Sequence, residues 1–161
     1  MKVEKACGSD IGPLVQLRMD YLREDLGPLD EKDAGAIAEN LPAYFRAHLD
    51  RDLFCYIVRD GGEIVSCAWL LVVEKPMSPA FLNGKTGTVF NVYTRPAFRR
   101  KGYAGALIAA LIADAKRMDL CSVELKATEA GVPLYLSAGF EEEHSGYRRM
   151  KWKNPERPEG R

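Results

Sequence analysis

Arg99-Arg100-Lys101-Gly102-Tyr103-Ala104 joins a run of strand character, Thr86 to Thr94, to a long apolar run of helical character, Tyr103 to Met118. A strand that turns into a helix through a glycine leaves several backbone N–H groups free at the helix start, where the helix carries about half a positive charge. Such a turn is an anion cradle. Gly102 lets the main chain approach a ligand closely. Arg99, Arg100 and Lys101 add full charges beside those amides, which suits a ligand with more than one phosphate, such as a nucleotide pyrophosphate. Taken alone, these six residues serve equally well as a solvated basic turn, so the surrounding elements have to decide.

Upstream, Asp10 to Asp25 carries Ile11, Leu14, Val15, Leu17, Met19, Tyr21 and Leu22 near helical spacing, with Asp10 as the expected cap and Pro13 in the first turn. Gly27-Pro28 ends it. Asp30 to Leu49 reads as a second helical stretch, interrupted near Pro42. Leu53 to Arg59 and Ile64 to Val73 read as strands of a hairpin closed by Asp60-Gly61-Gly62-Glu63, and Lys75 to Lys85 as a loop leading into the strand Thr86–Thr94. Beyond the 103–118 helix, Ser122 to Ala127 alternates as a half-buried strand, which implies a parallel crossover. Ala130 to Ala138 reads as a short helix closed by Gly139, and Phe140 to Trp152 as a last strand region turning near Ser145-Gly146.

With 161 residues, 47% of them apolar, the chain fits one domain with a core of its own. That domain spans 1–153, followed by a polar, proline-bearing tail, 154–161, that reads as disordered. The formal net charge is zero, which argues against a general nucleic-acid or membrane-surface binder. The basic run Arg148, Arg149, Lys151 and Lys153 around Trp152 reads as a charged outer strand face. The longest apolar stretch, Ala104 to Ala113, is about half of what a bilayer requires, and no basic-then-apolar leader opens the chain, so the expected compartment is the cytoplasm. Cys7, Cys55, Cys67 and Cys121 are far apart and form no Cys-x-x-Cys pair; they read as buried free thiols. His48 and His144 lack partners at metal-ligand spacing, so no metal site is expected.

Two motifs fail on inspection. Gly84-Lys85-Thr86 resembles the end of a P-loop, but Pro79 occupies the first glycine's place and a strand follows instead of a helix. Ser137 lacks the glycine two residues before it that a hydrolase elbow needs, since Tyr135 stands there.

Asn91-Val92-Tyr93-Thr94-Arg95-Pro96, followed by Arg99-x-x-Gly102-x-Ala104 and Leu107, resembles the acetyl-CoA motif of the GNAT N-acetyltransferase superfamily. Leu134-Tyr135-Leu136-Ser137-Ala138-Gly139-Phe140 resembles that superfamily's second signature, at about the usual distance. The resemblance covers residues 86 to 141 closely and the preceding element order loosely. It implies an α/β fold of mixed α+β character: a central, largely antiparallel mixed sheet with a splayed parallel strand pair, flanked by helices on both faces. It also implies acetyl-CoA as acetyl donor and a primary amine of a small molecule or peptide as acceptor. The pantetheine arm would pair with the backbone at Val92 and Thr94, beside Tyr93. The pyrophosphate would sit on the amides of Arg99, Arg100, Lys101, Gly102, Tyr103 and Ala104. Tyr135 would lie near the thioester sulfur, where a hydroxyl suits a departing thiolate of pKa about 8.5.

Two departures stand out. Thr128 replaces the usual asparagine that bonds the pantetheine arm, with Gly131 where alanine is common, and Thr88 occupies the place of a glutamate base. Holding an amine of pKa about 10.4 neutral at pH 7 costs about 4.6 kcal/mol, so a base or a water relay is needed. The candidates are a water ordered by Asn91 and the Tyr93 hydroxyl, or a carboxylate among Asp20, Glu24 and Asp25. The acidic residues Glu24, Asp25, Asp30, Glu31 and Asp33 hint at a cationic acceptor or, equally, at solvated helix ends. A catalytically inactive acetyl-CoA-binding sensor or partner-binding module is the alternative that Thr88 motivates. A homodimer edge formed by the hairpin and last strands, common in the family, stays open.

Overall fold

The computed structural model describes residues 1–156. Its elements run β1 (Val3–Lys5), α1 (Ile11–Leu26), α2 (Glu31–His48), β2 (Leu53–Asp60), β3 (Glu63–Glu74), β4 (Lys85–Thr94), α3 (Tyr103–Arg117), β5 (Ser122–Glu124) and α4 (Val132–Ser137). The strands form one sheet in chain order. The first three pairings are antiparallel and β4–β5 is parallel, so the mixed sheet and the crossover stand as expected.

Alternation along the strands builds two cores, one on each face. Cys55 and Ile57 of β2 join Leu14, Leu17, Phe45, Cys67 and Trp69 beneath α1 and α2. Tyr56 and Val58 join Val65, Leu70, Val89, Leu107, Ile108 and Leu111 beneath α3. Helices therefore flank both faces.

Local expectations needed correction where tertiary packing decided. α2 continues through Pro42 instead of breaking there. Asp30 caps its start by accepting from Lys32 and Asp33 N–H, and the fully buried Phe45 packs edge-on against Trp69 at 5.2 Å. Together these offset a proline cost of about 3 kcal/mol. Asp10 does not cap α1: its carboxylate turns back to the Cys7 N–H and to Arg59. Strand β1, not foreseen, covers the outer edge of β2. β5 stops at Glu124 instead of Ala127, because the chain turns there toward α4, with the Thr128 carbonyl accepting from Gly131 and Val132 N–H. Phe140 to Trp152 forms no strand. Three successive carboxylates, Glu141 to Glu143, and an apolar set out of phase at Tyr147, Met150 and Trp152 give that segment no single face to bury; all three apolar side chains are exposed. The expected tail lies mostly outside the described residues.

α3 is pinned to the sheet by a buried polar cluster. Asp114, buried in the helix, accepts from Tyr56 Oη at 2.9 Å, Lys5 Nζ at 2.6 Å and the Arg117 guanidinium. Burial pushes the Tyr56 hydroxyl up to about 12, so it remains a donor. Replacing Asp114 by alanine strands that hydroxyl, while the two exposed cations turn to water, and should lower unfolding free energy by about 1–3 kcal/mol in urea titration, against about 1 kcal/mol for Tyr56→Phe.

Candidate active site

β4 and β5 pair only at Thr86–Ser122, Gly87–Val123 and Thr88–Glu124, while β4 runs on to Thr94. Beyond Thr88 that edge of β4 has no strand beside it among the described residues. Which backbone groups it offers follows from its partners: the Asn91 carbonyl accepts from Cys67 Sγ, the Tyr93 carbonyl from Ser66 Oγ, and Arg95 N–H donates to the Val65 carbonyl, all toward β3. By the strand's period of two, Val92 and Thr94 turn theirs the other way. The Arg99 Nε–H already reaches the Thr94 carbonyl at 2.9 Å.

The gap opens into a cleft of about 610 Å³. Its floor is Val92, Tyr93 and Thr94; one wall is the start of α3 with Arg99, Arg100 and Gly102 through Gly105; a second is Thr128, Gly131, Leu134 and Tyr135; α1 closes it with Tyr21, Glu24 and Asp25. Arg100 and Gly102 both adopt left-handed backbone, with φ of 61° and 79°, which curls the turn inward ahead of the helix. No side chain caps α3, so the amide groups of its first turn stay free beside the cleft. These are the features a pyrophosphate requires.

Tyr135 is half-buried and packs edge-on against Phe140 at 5.8 Å. Burial first, then the nearby Tyr21, raises its hydroxyl above 10.0. Gly131 makes room for it: a Cβ there would stand 3.2 Å from the Tyr135 ring.

Residues 14–140 match the acetyltransferase (GNAT) family. The chain belongs to the GNAT acetyltransferase family. Its fold is similar to a predicted acetyltransferase with acetyl-CoA from Clostridium acetobutylicum, at 26% identity and TM-score 0.80 over 93% of this chain and 95% of that one. It is also similar to a GCN5-related N-acetyltransferase from Ralstonia eutropha JMP134, at 25% identity and TM-score 0.77 over 92% and 97%. Glucosamine-6-phosphate N-acetyltransferase from Arabidopsis thaliana shares the fold at 17% identity and TM-score 0.69 over 95% and 98%. No curated protein sequence matches.

Within this GNAT domain, Val92, Tyr93, Thr94, Arg99, Arg100, Gly102, Tyr103, Ala104, Thr128 and Tyr135 converge on one cleft. Two expected site residues stand apart. Lys101 lays its ammonium over the Phe98 ring at 4.9 Å. Asn91, at φ 50° on a bulge opposite Ala68, is buried, with Oδ1 accepting from Arg18 and Nδ2 directed at Cys67 Sγ. Arg99 is held by Glu24 at 2.5 and 2.6 Å, a link between the basic turn and α1 that sequence did not suggest. Asp20 is held by Gln16 and Arg23, which leaves Asp25, 3.4 Å from the Tyr21 hydroxyl, as the carboxylate at the cleft with no cation at ion-pair distance among the described residues. Thr88 donates to Glu124 Oε1 at 3.4 Å, away from the cleft lining. The sequence pattern does not mark the Tyr21 and Phe98 walls; in it Tyr21 is one member of a helical apolar stripe.

All four cysteines are free, but only Cys55 and Cys67 are buried, correcting the expectation for Cys7 and Cys121. His48 has a carboxylate partner after all, with Nδ1 2.8 Å from Asp52. Burial pushes the Cys67 thiol up to about 12 and raises Cys55 further. A thiol reagent at neutral pH should therefore titrate two cysteines rapidly in the native protein and four in denaturant.

Proposed function

We propose that the protein is an acetyl-CoA-dependent N-acetyltransferase that passes the acetyl group directly to a primary amine in a ternary complex. The parting of β4 from β5, with a free anion cradle at one end and Tyr135 at the other, carries this reading. The bound thioester supplies the activated acetyl group. The amides before α3 and Arg100 hold the pyrophosphate, and the outward groups of Val92 and Thr94 pair with the pantetheine amides, with Thr128 beside that arm. Arg99 joins the phosphates by sharing its guanidinium with Glu24. A β4 amide polarises the acetyl carbonyl as the amine attacks. Asp25, through a water, takes the proton the amine must lose, and the Tyr135 hydroxyl protonates the departing thiolate. The similar fold of the Clostridium acetobutylicum predicted acetyltransferase, whose crystal structure is with acetyl-CoA, supports the choice of donor.

Thiol release from acetyl-CoA, followed with a panel of amines, tests the reading. Amine-dependent release is expected from the wild type and its loss from Gly102→Glu, which places a carboxylate in the cradle. Acetyl-CoA binding without release by any amine would favour a binding module instead. Tyr135→Phe should lower kcat about 10- to 100-fold with little change in the KM for acetyl-CoA.

The pH profile follows from burial. Because the folded pKa of Tyr135 lies above 10.0, its proton is present throughout the range below that value and is lost only as pH rises through it. The wild-type kcat/KM should rise with pH as the amine deprotonates, with no descending limb below pH 10. Asp25→Asn should lower kcat/KM about tenfold or more while the rise on amine deprotonation is retained.

A further inference from the structure

Arg18 lies on the face of α1 that also carries Tyr21 and Asp25 to the cleft, one turn back from Tyr21. Its guanidinium sits over the Tyr21 ring, 5.4 Å from the centroid, and 5.8 Å from the Trp69 centroid, while Nη1 donates to Asn91 Oδ1 at 3.0 Å. Arg23, Arg59, Arg95, Arg99 and Arg117 each hold a carboxylate within ion-pair distance. Arg18 has none among the described residues; its one directional partner is a neutral amide.

The surroundings sharpen the imbalance. From α1, Tyr21 and the more distant Asp25 face this corner; from α2, Tyr44; from β3, Cys67 and Trp69; from β4, Asn91. Burial disfavours the charged form, and the fields of Tyr21 and Asp25 only partly offset that, yet a guanidinium stays protonated at any working pH. The buried Trp69 Nε1–H has no well-formed hydrogen bond among the described residues and is directed at the Cys67 sulfur. A half-buried cation with no counter-charge is costly, and an incoming oxyanion removes that cost. Asn91 is fixed in turn by Cys67, so the guanidinium is held in place behind the Tyr21 wall of the cleft.

We propose that Arg18 anchors the acceptor: the amine substrate carries a compact oxyanion, a carboxylate or a phosphate, which Arg18 binds while the amino group reaches toward Asp25 and the acetyl carbonyl. This rests on the acetyl-transfer reading and names the substrate class for it. The acidic residues that hinted at a cationic acceptor have other duties. Glu24 holds Arg99, Asp30 caps α2, and Glu31 and Asp33 lie in the first turn of α2, where a helix favours negative charge. Of that group Glu24 and Asp25 line the cleft, and Glu24 is already paired with Arg99.

Matched acceptors test the proposal on the wild type: a free amino acid against its carboxamide, an amino sugar with and without a phosphate, and a polyamine. The anionic member of at least one pair should show a kcat/KM about tenfold or more above its neutral partner, chiefly through KM; the two pairs separate carboxylate from phosphate. That ratio should fall to about one in Arg18→Gln and be partly retained in Arg18→Lys, which keeps the charge but loses the bidentate fork. Transfer that is indifferent to acceptor charge, or fastest to the polyamine, overturns the proposal while the transferase reading stands. A ratio unchanged in Arg18→Gln overturns it too. Absence of transfer to any amine overturns both. Should Arg18→Gln fail to fold, Arg18→Lys decides: a ratio unchanged from the wild type overturns the proposal.

Discussion

Three residues of parallel pairing between β4 and β5, followed by their parting, are the constraint on which the rest of the structure depends. A sheet interior satisfies its own backbone, whereas an unpaired strand edge exposes a row of donors and acceptors. Here the edge from Val89 to Thr94 is not at the rim of the sheet but faces a cleft walled by α1, α3 and α4. A substrate with peptide-like amides can complete it. The same parting sets the start of α3 at the far end of the edge, so the basic turn and the open strand line one continuous cleft.

Such an opening weakens the sheet locally, and the fold compensates on both sides of it. α3, which must hold the cradle steady, is fastened by the apolar core beneath it and by the buried Asp114 cluster. α1 is fastened by the other core and tied to the basic turn by Glu24 on Arg99. That last pair is partly exposed and adds little stability. Its consequence is positional, because it joins the wall that would carry acceptor chemistry to the turn that would carry phosphate.

The bulge at Asn91 works differently. By opposing two residues to Ala68, it puts Phe90 and Asn91 in succession on the α1 face, and the left-handed φ of Asn91 turns its amide toward Arg18 and Cys67. The polar interior that results is satisfied at Asn91 and charged without balance at Arg18. A fold stabilised only for itself would place a carboxylate there.

Sequence by itself determined the strand, turn and helix of 86 to 118, the hairpin and the Tyr135 helix, because each is written in local spacing: alternation, 3.6-residue periodicity, glycine at a turn. The basic turn with its glycine was legible for the same reason, whereas Tyr135 was singled out by the resemblance of its motif to the family's second signature. Tertiary structure decided what depends on distant partners. Whether a strand ends at Glu124 or Ala127, whether Pro42 breaks a helix, and whether Phe140 to Trp152 joins the sheet are settled by what lies alongside, not by the segment's own pattern. Arg18 meets Asn91 from 73 residues away and Arg99 meets Glu24 from 75, separations over which periodicity carries no information. A charge pattern in sequence states which ions are present; only the fold decides which of them are neutralised and which, like Arg18, are half-buried with no carboxylate at ion-pair distance among the described residues.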